Sequence, residues 1–280
     1  VSAVTERFSL EGKLEIAGLT DVGRKRSHNE DSIGSDVGIG LAILADGMGG
    51  YKAGEVASSL AIDMVTEQLR KDLGVLTPGQ VDEDSGFSRE SLLIRQAIAR
   101  ANEVIFKTAQ DQPQCQGMGT TLVAAVFYDD RMTIAHVGDS RLYRLRGGQL
   151  EQITVDHSLL QELIDKGFYT PEEAKESLNK NLVTRAMGIE VTVQADLQEE
   201  MVKPDDLYLL CSDGLSDLVE DEEIHLTLSK SGANLQEAAG NLVHMANEKG
   251  GKDNISVILA RILEPFPAKR SWYARFFDWF

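Results

Sequence analysis

Four aspartates occupy equivalent places along this chain. Apolar residues 41–45 run into Asp46-Gly47-Met48-Gly49-Gly50, residues 134–137 into Gly138-Asp139-Ser140, and residues 207–211 into Ser212-Asp213-Gly214, while Asp253-Asn254 opens the apolar run 255–259. A short apolar run bounded by glycine reads as a buried strand, so each carboxylate is expected where a strand meets the rim of the core. A single aspartate in such a place is more often a helix cap or a turn former. Four that converge would make a site for a hard divalent cation. Oxygen ligands suit Mg2+ or Mn2+, and the five histidines are scattered, without the His and Cys clustering that zinc prefers. Few protein ligands per ion leave room for water, and a water bound to such a cation can lose a proton near neutral pH and become a nucleophile.

A fifth segment, Asp21-Val-Gly-Arg-Lys-Arg-Ser-His-Asn-Glu-Asp31, sets three bases and a histidine before two carboxylates, and by itself reads as a solvated loop. Taken together, Asp21-x-Gly23-x-x-Arg26-x-x-Asn29-Glu30-Asp31, Ala45-Asp46-Gly47-Met48-Gly49-Gly50, Gly117-Met-Gly-Thr-Thr-Leu122, Val137-Gly-Asp139-Ser-Arg141, Ser212-Asp213-Gly214-Leu-Ser-Asp217 and Asp253-Asn254-Ile-Ser256 fall in a familiar order. From about residue 13 to about residue 262 the chain resembles the PP2C (PPM) metal-dependent serine/threonine phosphatases, most closely their compact bacterial members.

The resemblance implies an α+β fold, a four-layer αββα sandwich of two antiparallel sheets flanked by helices, with a dinuclear centre at one end. Asp46 would bridge two Mn2+ or Mg2+ ions and the Gly47 carbonyl would ligate one of them. Asp213 and Asp253 would hold the first ion and Asp31 the second, directly or through water, with Glu30 a weaker candidate. Asp139, together with Asp213, matches the holder of a third, looser ion. On this resemblance Asp46, Asp213 and Asp253 would be the catalytic residues, holding the metals that activate a nucleophilic water for one in-line step without a phosphoenzyme. Arg26 is the candidate for substrate phosphate, because a guanidinium can pair two phosphate oxygens; without the family match it reads as a surface base beside Arg24 and Lys25. Met48 stands where many eukaryotic relatives carry a histidine, a candidate proton donor, and methionine cannot donate. A metal-bound water is then the first choice of general acid, and His28 the second.

Composition narrows the alternatives. A net charge of −17 argues against nucleic acid, whose recognition needs clustered Lys and Arg. Cys115 and Cys211 have Thr121 and Asp217 six residues on, where a cysteine-based phosphatase needs arginine. Both thiols read as packing residues of a reduced compartment. No signal pattern and no apolar run of about 18 residues is present, and Val1 opens the sequence without a methionine, so removed segments at either end stay open.

The elements that must position these residues can be read from periodicity. Strands are expected near 13–20, 39–45, 192–200, 206–212 and, centrally, 254–262, with a four-strand meander over 119–154 turning at Gly147-Gly148. Core-facing helices are expected over 55–70, around 94–105, from 221 onward, and from an Asn234 cap with Glu237 three residues later. One catalytic domain, 1–264, carries a flap insertion at about 157–188, which would contact substrate or cover a sheet edge. A tail, 265–280, holds Phe266, Trp272, Tyr273, Phe276, Phe277, Trp279 and Phe280. Its aromatic face beside Lys269, Arg270 and Arg275 suits a membrane surface or a partner groove, or docking on the domain itself.

The functional expectation is a cytoplasmic protein, peripheral to the membrane through its tail, that hydrolyses phosphoserine and phosphothreonine in proteins and opposes a serine/threonine kinase. The alternatives are a catalytically weak phosphoprotein-binding scaffold of the same fold, which should lack metal carboxylates, and a hydrolase of small phosphoesters.

Overall fold

The computed structural model describes residues 9–50, 53–170, 173, 182–231 and 233–268. In chain order the strands are β1 (Leu14–Asp21), β2 (Asp31–Asp36), β3 (Leu41–Met48), β4 (Gly119–Thr120), β5 (Leu122–Tyr128), β6 (Arg131–Val137), β7 (Arg141–Arg146), β8 (Gln149–Gln152), β9 (Asp196–Met201), β10 (Leu207–Cys211) and β11 (Ile255–Ile262). The helices are α1 (Ala53–Asp72), α2 (Arg89–Asp111), α3 (Leu159–Asp165), α4 (Asp213–Ser216), α5 (Asp221–Ser231) and α6 (Leu235–Glu248).

Successive side chains of a strand face opposite ways, so a strand apolar at every position must be covered on both faces. The chain satisfies this with two stacked sheets. One has the order β1-β11-β10-β7-β8 and the other β2-β3-β5-β6-β9, with β4 appended to β3, and their ladders are antiparallel. Leu44, Val123, Phe127 and Ile134 of one sheet meet Leu142, Tyr208, Leu210 and Ile258 of the other. The alternate residues face outward: Ile43 and Ala124 pack under Ala57, Ala61, Ile94 and Ile98 of α1 and α2, and Val257 and Leu259 pack under Leu228, Leu235 and Leu242 of α5 and α6. This is the expected four-layer sandwich. Asn234 caps α6, accepting from the Glu237 N–H at 3.2 Å, as its spacing anticipated. Gly147 and Gly148, with φ of 57° and 78°, turn β7 into β8, a conformation that favours glycine at both places.

The expected meander over 119–154 is corrected. β5 and β6 pair in one sheet and β7 and β8 in the other, so the chain crosses between sheets at residues 138–140. Gly138, at φ 104°, permits the turn, and a Cβ there would come within 2.6 Å of Thr121. Periodicity reports strands but not which sheet they join. β2 also went unforeseen, because its Asp-Ser-Ile-Gly-Ser-Asp sequence has one large apolar residue. It forms an edge beside β3, and Gly34 lets α1 lie close: a Cβ would sit 2.9 Å from Ile62.

Phe266, read as the first tail aromatic, is 2 % exposed and packs in the core between the sheets. The N–H groups of Phe266 and Ala268 donate to the carboxylates of Asp130 and Asp129. The rest of the tail from Lys269, and residues 171–172 and 174–181 of the expected flap, lie outside the described residues. No helix among the described residues is long and apolar enough to cross a membrane.

Candidate metal centre and substrate cleft

The antiparallel register of β2 and β3 sets Asp31 opposite Asp46 at the end of the sheet. Asp46 is fixed from behind by the Gly-Thr-Thr segment. Its N–H donates to Thr121 Oγ1 at 3.0 Å, and its carbonyl accepts from the Thr121 N–H and from Thr120 Oγ1, each at 2.8 Å. Gly47 follows where no side chain fits, since a Cβ would lie 2.1 Å from the Gly54 carbonyl oxygen. From the facing sheet, β10 delivers Ser212 and Asp213 into the short α4, whose Gly214 is pressed against Asn254: a Cβ would meet that residue's carbonyl oxygen at 1.9 Å. Ser212 Oγ donates to Asp31 Oδ2 at 2.8 Å and accepts from the Ser256 N–H at 3.0 Å, joining the two sheets at the rim.

These elements surround a cleft of roughly 260 Å³. Asp46, Gly47, Asp139, Asp213, Asp253 and Arg26 line it, with Glu30, Met48, Gly49, Thr121, Val183 and Asn254. The carboxylates, Gly47 and Arg26 expected from sequence are therefore brought to one place, Asp31 lying behind the lining as the partner of Asp46. His28, the second choice as proton donor, has an exposed side chain and is not among the lining residues.

Gathering these acids is costly without a cation. Burial, with the charge of Asp253 nearby, pushes Asp31 up to about 6. Burial and the neighbouring Asp156 likewise push Asp139 up to about 6. Asp46 and Asp213 are driven well above the usual carboxylate range by desolvation and by the other carboxylates of the group. Two oxygens of the group, Asp31 Oδ1 and Asp213 Oδ1, are buried without a hydrogen-bond partner. Oxygen-only donors, mutual repulsion and partnerless lone pairs fit divalent metal ions of the Mg2+ or Mn2+ kind.

Arg26 reaches the cleft because its loop is tied down. Gly23, at φ 78°, lies against Asp253, whose carbonyl oxygen would be 2.1 Å from a Cβ. Asn254 holds the other side: its Nδ2 donates to the carbonyls of Val22 and His28 at 2.9 Å each, and its Oδ1 accepts from the Glu30 N–H at 2.8 Å. Arg26 Nη2 then donates to Asp253 Oδ2 at 2.7 Å. Sequence reasoning gave Thr120, Thr121, Ser212 and Asn254 no role beyond their places in the motifs. The signal was available, because polar side chains bracketing buried strand ends must find partners.

The class of protein that this sandwich and cleft define is a metal-dependent hydrolase. Residues 22–259 match the Protein phosphatase 2C family, and the chain belongs to it. The serine/threonine phosphatase stp of Listeria monocytogenes is 38 % identical over 243 residues, covering 86 % of this chain and 92 % of that protein. The catalytic domain of a serine/threonine protein phosphatase PstP, solved in complex with two manganese ions, superposes with a TM-score of 0.78 at 37 % identity, covering 90 % of this chain and 99 % of that one. Staphylococcus aureus Stp1 superposes with a TM-score of 0.78 at 35 % identity, covering 94 % of this chain and 100 % of that one.

Proposed function

We propose that the protein is a metal-dependent phosphatase that hydrolyses phosphoserine and phosphothreonine in protein substrates, in signalling that a serine/threonine kinase drives in the other direction. The observation that carries the reading is the meeting of Asp31, Asp46, Asp139, Asp213 and Asp253 around one cleft, with buried carboxylate oxygens that lack partners.

Asp46, the Gly47 carbonyl, Asp31, Asp213 and Asp253 would hold two Mn2+ or Mg2+ ions, and Asp139 with Asp213 a looser third. Such ions supply a lowered pKa for water and Lewis-acid neutralisation of phosphoryl charge. The chain's own residues do the rest. Thr120 and Thr121 fix the direction of Asp46, and Ser212 that of Asp31. Arg26, the guanidinium that lines the cleft, meets an incoming phosphate dianion with two donors, and its bond to Asp253 keeps it at the rim. Met48 lines the same cleft and donates no proton to the leaving alcohol, so that step falls to water.

Three metal carboxylates that a dead scaffold would be expected to lack, Asp46, Asp213 and Asp253, are all present. Phosphoserine, phosphothreonine and phosphotyrosine peptides, assayed with Mn2+ beside p-nitrophenyl phosphate, test the reading. Preference for the first two supports a protein phosphatase. Turnover of p-nitrophenyl phosphate alone would leave a small-phosphoester hydrolase instead.

From sequence, we also propose a cytoplasmic protein whose tail beyond the docked Phe266 contacts a membrane surface or a partner groove. Co-sedimentation with liposomes, with and without residues 268–280, tests the membrane arm. Equal behaviour of the two chains would remove it.

A further inference from the structure

A second cluster of ionisable side chains lies beside the cleft, where His136, His157 and Asp196 approach one another. The two imidazoles stack with centroids 4.5 Å apart. Their hydrogen bonds argue against a metal. His136 Nε2 bonds the Val155 carbonyl at 2.9 Å, and His157 Nδ1 accepts from the Gly138 N–H at 3.1 Å. An imidazole that accepts at Nδ1 carries its proton on Nε2, which faces Asp196 Oδ2 at 3.3 Å; Arg185 Nη1 also lies 3.0 Å from Nε2, with its two hydrogens directed to the Gln194 carbonyl and to Asp196 Oδ1. Arg185 Nη1 donates to Asp196 Oδ1 at 2.6 Å, so a cation already sits there.

What the cluster does hold is Gly138. Besides the bond to Nδ1, the Gly138 carbonyl accepts from the His157 N–H at 2.9 Å, so both its backbone polar groups end on one residue. The next residue is Asp139, in the cleft. Behind it, Thr121 Oγ1 bonds Ser140 Oγ at 2.8 Å and also accepts from the Asp46 N–H, so the turn is joined to the backbone of Asp46. His157 also belongs to the base of the flap. Its carbonyl accepts from the Thr184 N–H at 2.8 Å, and the next residue, Ser158, bridges Val183, which lines the cleft.

We infer that His157 is a positioning residue for the hydrolysis: its imidazole, oriented by Asp196, holds Gly138 and thereby sets Asp139 in the cleft in register with the base of the flap. The inference rests on the reading of Asp139 as a cation ligand. A group one shell removed from a ligand typically changes metal affinity or activity by about 10- to 100-fold. Asparagine can place Oδ1 near the position of His157 Nδ1 and keep the bond to Gly138, whereas leucine removes it.

Mn2+ binding isotherms by electron paramagnetic resonance of free Mn2+, thermal melts, and kcat and KM for p-nitrophenyl phosphate across Mn2+ concentration form the test, run on the full chain. His157→Leu should keep the tighter Mn2+ sites, weaken the loosest class about tenfold and lower kcat with little change in KM. His157→Asn should recover most of both. If His157→Leu does not fold, Asp196→Asn, at a side chain 51 % exposed, should weaken the same loose class by a smaller factor. A folded His157→Leu with wild-type isotherm and kcat overturns the inference. So do equal losses in the leucine and asparagine variants, which would leave only a packing role, or an unchanged isotherm for Asp196→Asn. A wild-type chain that neither binds Mn2+ nor turns over would instead overturn the phosphatase reading, and the inference with it.

Discussion

Asp31 and Asp46 stand directly opposite one another on β2 and β3, a cross-strand pair of two acids. Like charges in such a pair repel, and Asp31 Oδ1 is buried with no hydrogen-bond partner to offset them. The pairing makes sense if a cation completes it. Stability in chelator should then fall with rising pH. Asp31 and Asp139 are pushed from the ordinary 3.8 up to about 6 in the folded chain, so between these values the folded form binds more protons than the unfolded one. The stabilisation this gives is full below about pH 4 and is lost as pH passes 6. Thermal melts in chelator should give a higher Tm at pH 5 than at pH 7.5. With Mn2+, which binds the ionised carboxylates, the shift it adds to Tm should grow with pH.

Removing one charge of the pair should help the metal-free fold and destroy its purpose. Asp46→Asn should gain up to about 1 kcal/mol in chelator from relieved repulsion, yet lose the Tm rise that Mn2+ gives the wild type. Melts of both proteins, with and without Mn2+, check this.

Arg26 should matter for substrate more than for stability. Its guanidinium is exposed and its partner Asp253 is half-buried, so the ion pair itself contributes little to folding. Arg26→Ala should lower kcat/KM for p-nitrophenyl phosphate about 10- to 100-fold, the worth of a charge-assisted phosphate bond. Arg26→Lys should recover only part, because an ammonium cannot pair two oxygens in a plane.

The loop that carries Arg26 should fail at its tightest point. Gly23 has φ of 78° and its Cβ position is occupied by the Asp253 carbonyl. Gly23→Ala should cost about 1–3 kcal/mol and lower kcat/KM together with Tm, since both Arg26 and Asp253 shift when the contact opens. Denaturant unfolding beside steady-state kinetics would show it.

Most of this candidate site was legible because its carboxylates end apolar strands. Asp46 and Asp213 each follow a run whose continuous burial is visible as continuous hydrophobicity, Asp139 follows a mostly apolar one broken by Thr133 and His136, and the Asn234–Glu237 spacing announced its helix. β2 was not legible, since an edge strand with Ile33 as its one large apolar residue carries almost no pattern; with it went the facing of Asp31 and Asp46. The crossing at Gly138 was hidden because strand periodicity is the same in either sheet. The bonds from Asn254 to Val22 and from Ser212 to Asp31 join residues more than 180 positions apart, so the need for a partner was legible but its identity was not.

Thiol chemistry should be irrelevant to turnover. Cys115 and Cys211 are buried, and burial pushes the Cys211 thiol up to about 12. Iodoacetamide should leave the native protein active, and both cysteines should alkylate only after unfolding.

The central claim is that carboxylates from both sheets hold the ions that hydrolysis needs, and Asp213→Asn assayed with Mn2+ tests it most directly. The substitution keeps size and shape while removing one charge from the cleft. Turnover of p-nitrophenyl phosphate should fall about a hundredfold or more in a variant that still melts cooperatively, and chelator should abolish the wild-type rate. A wild-type rate untouched by chelator, together with an Asp213→Asn variant of equal activity, would contradict it.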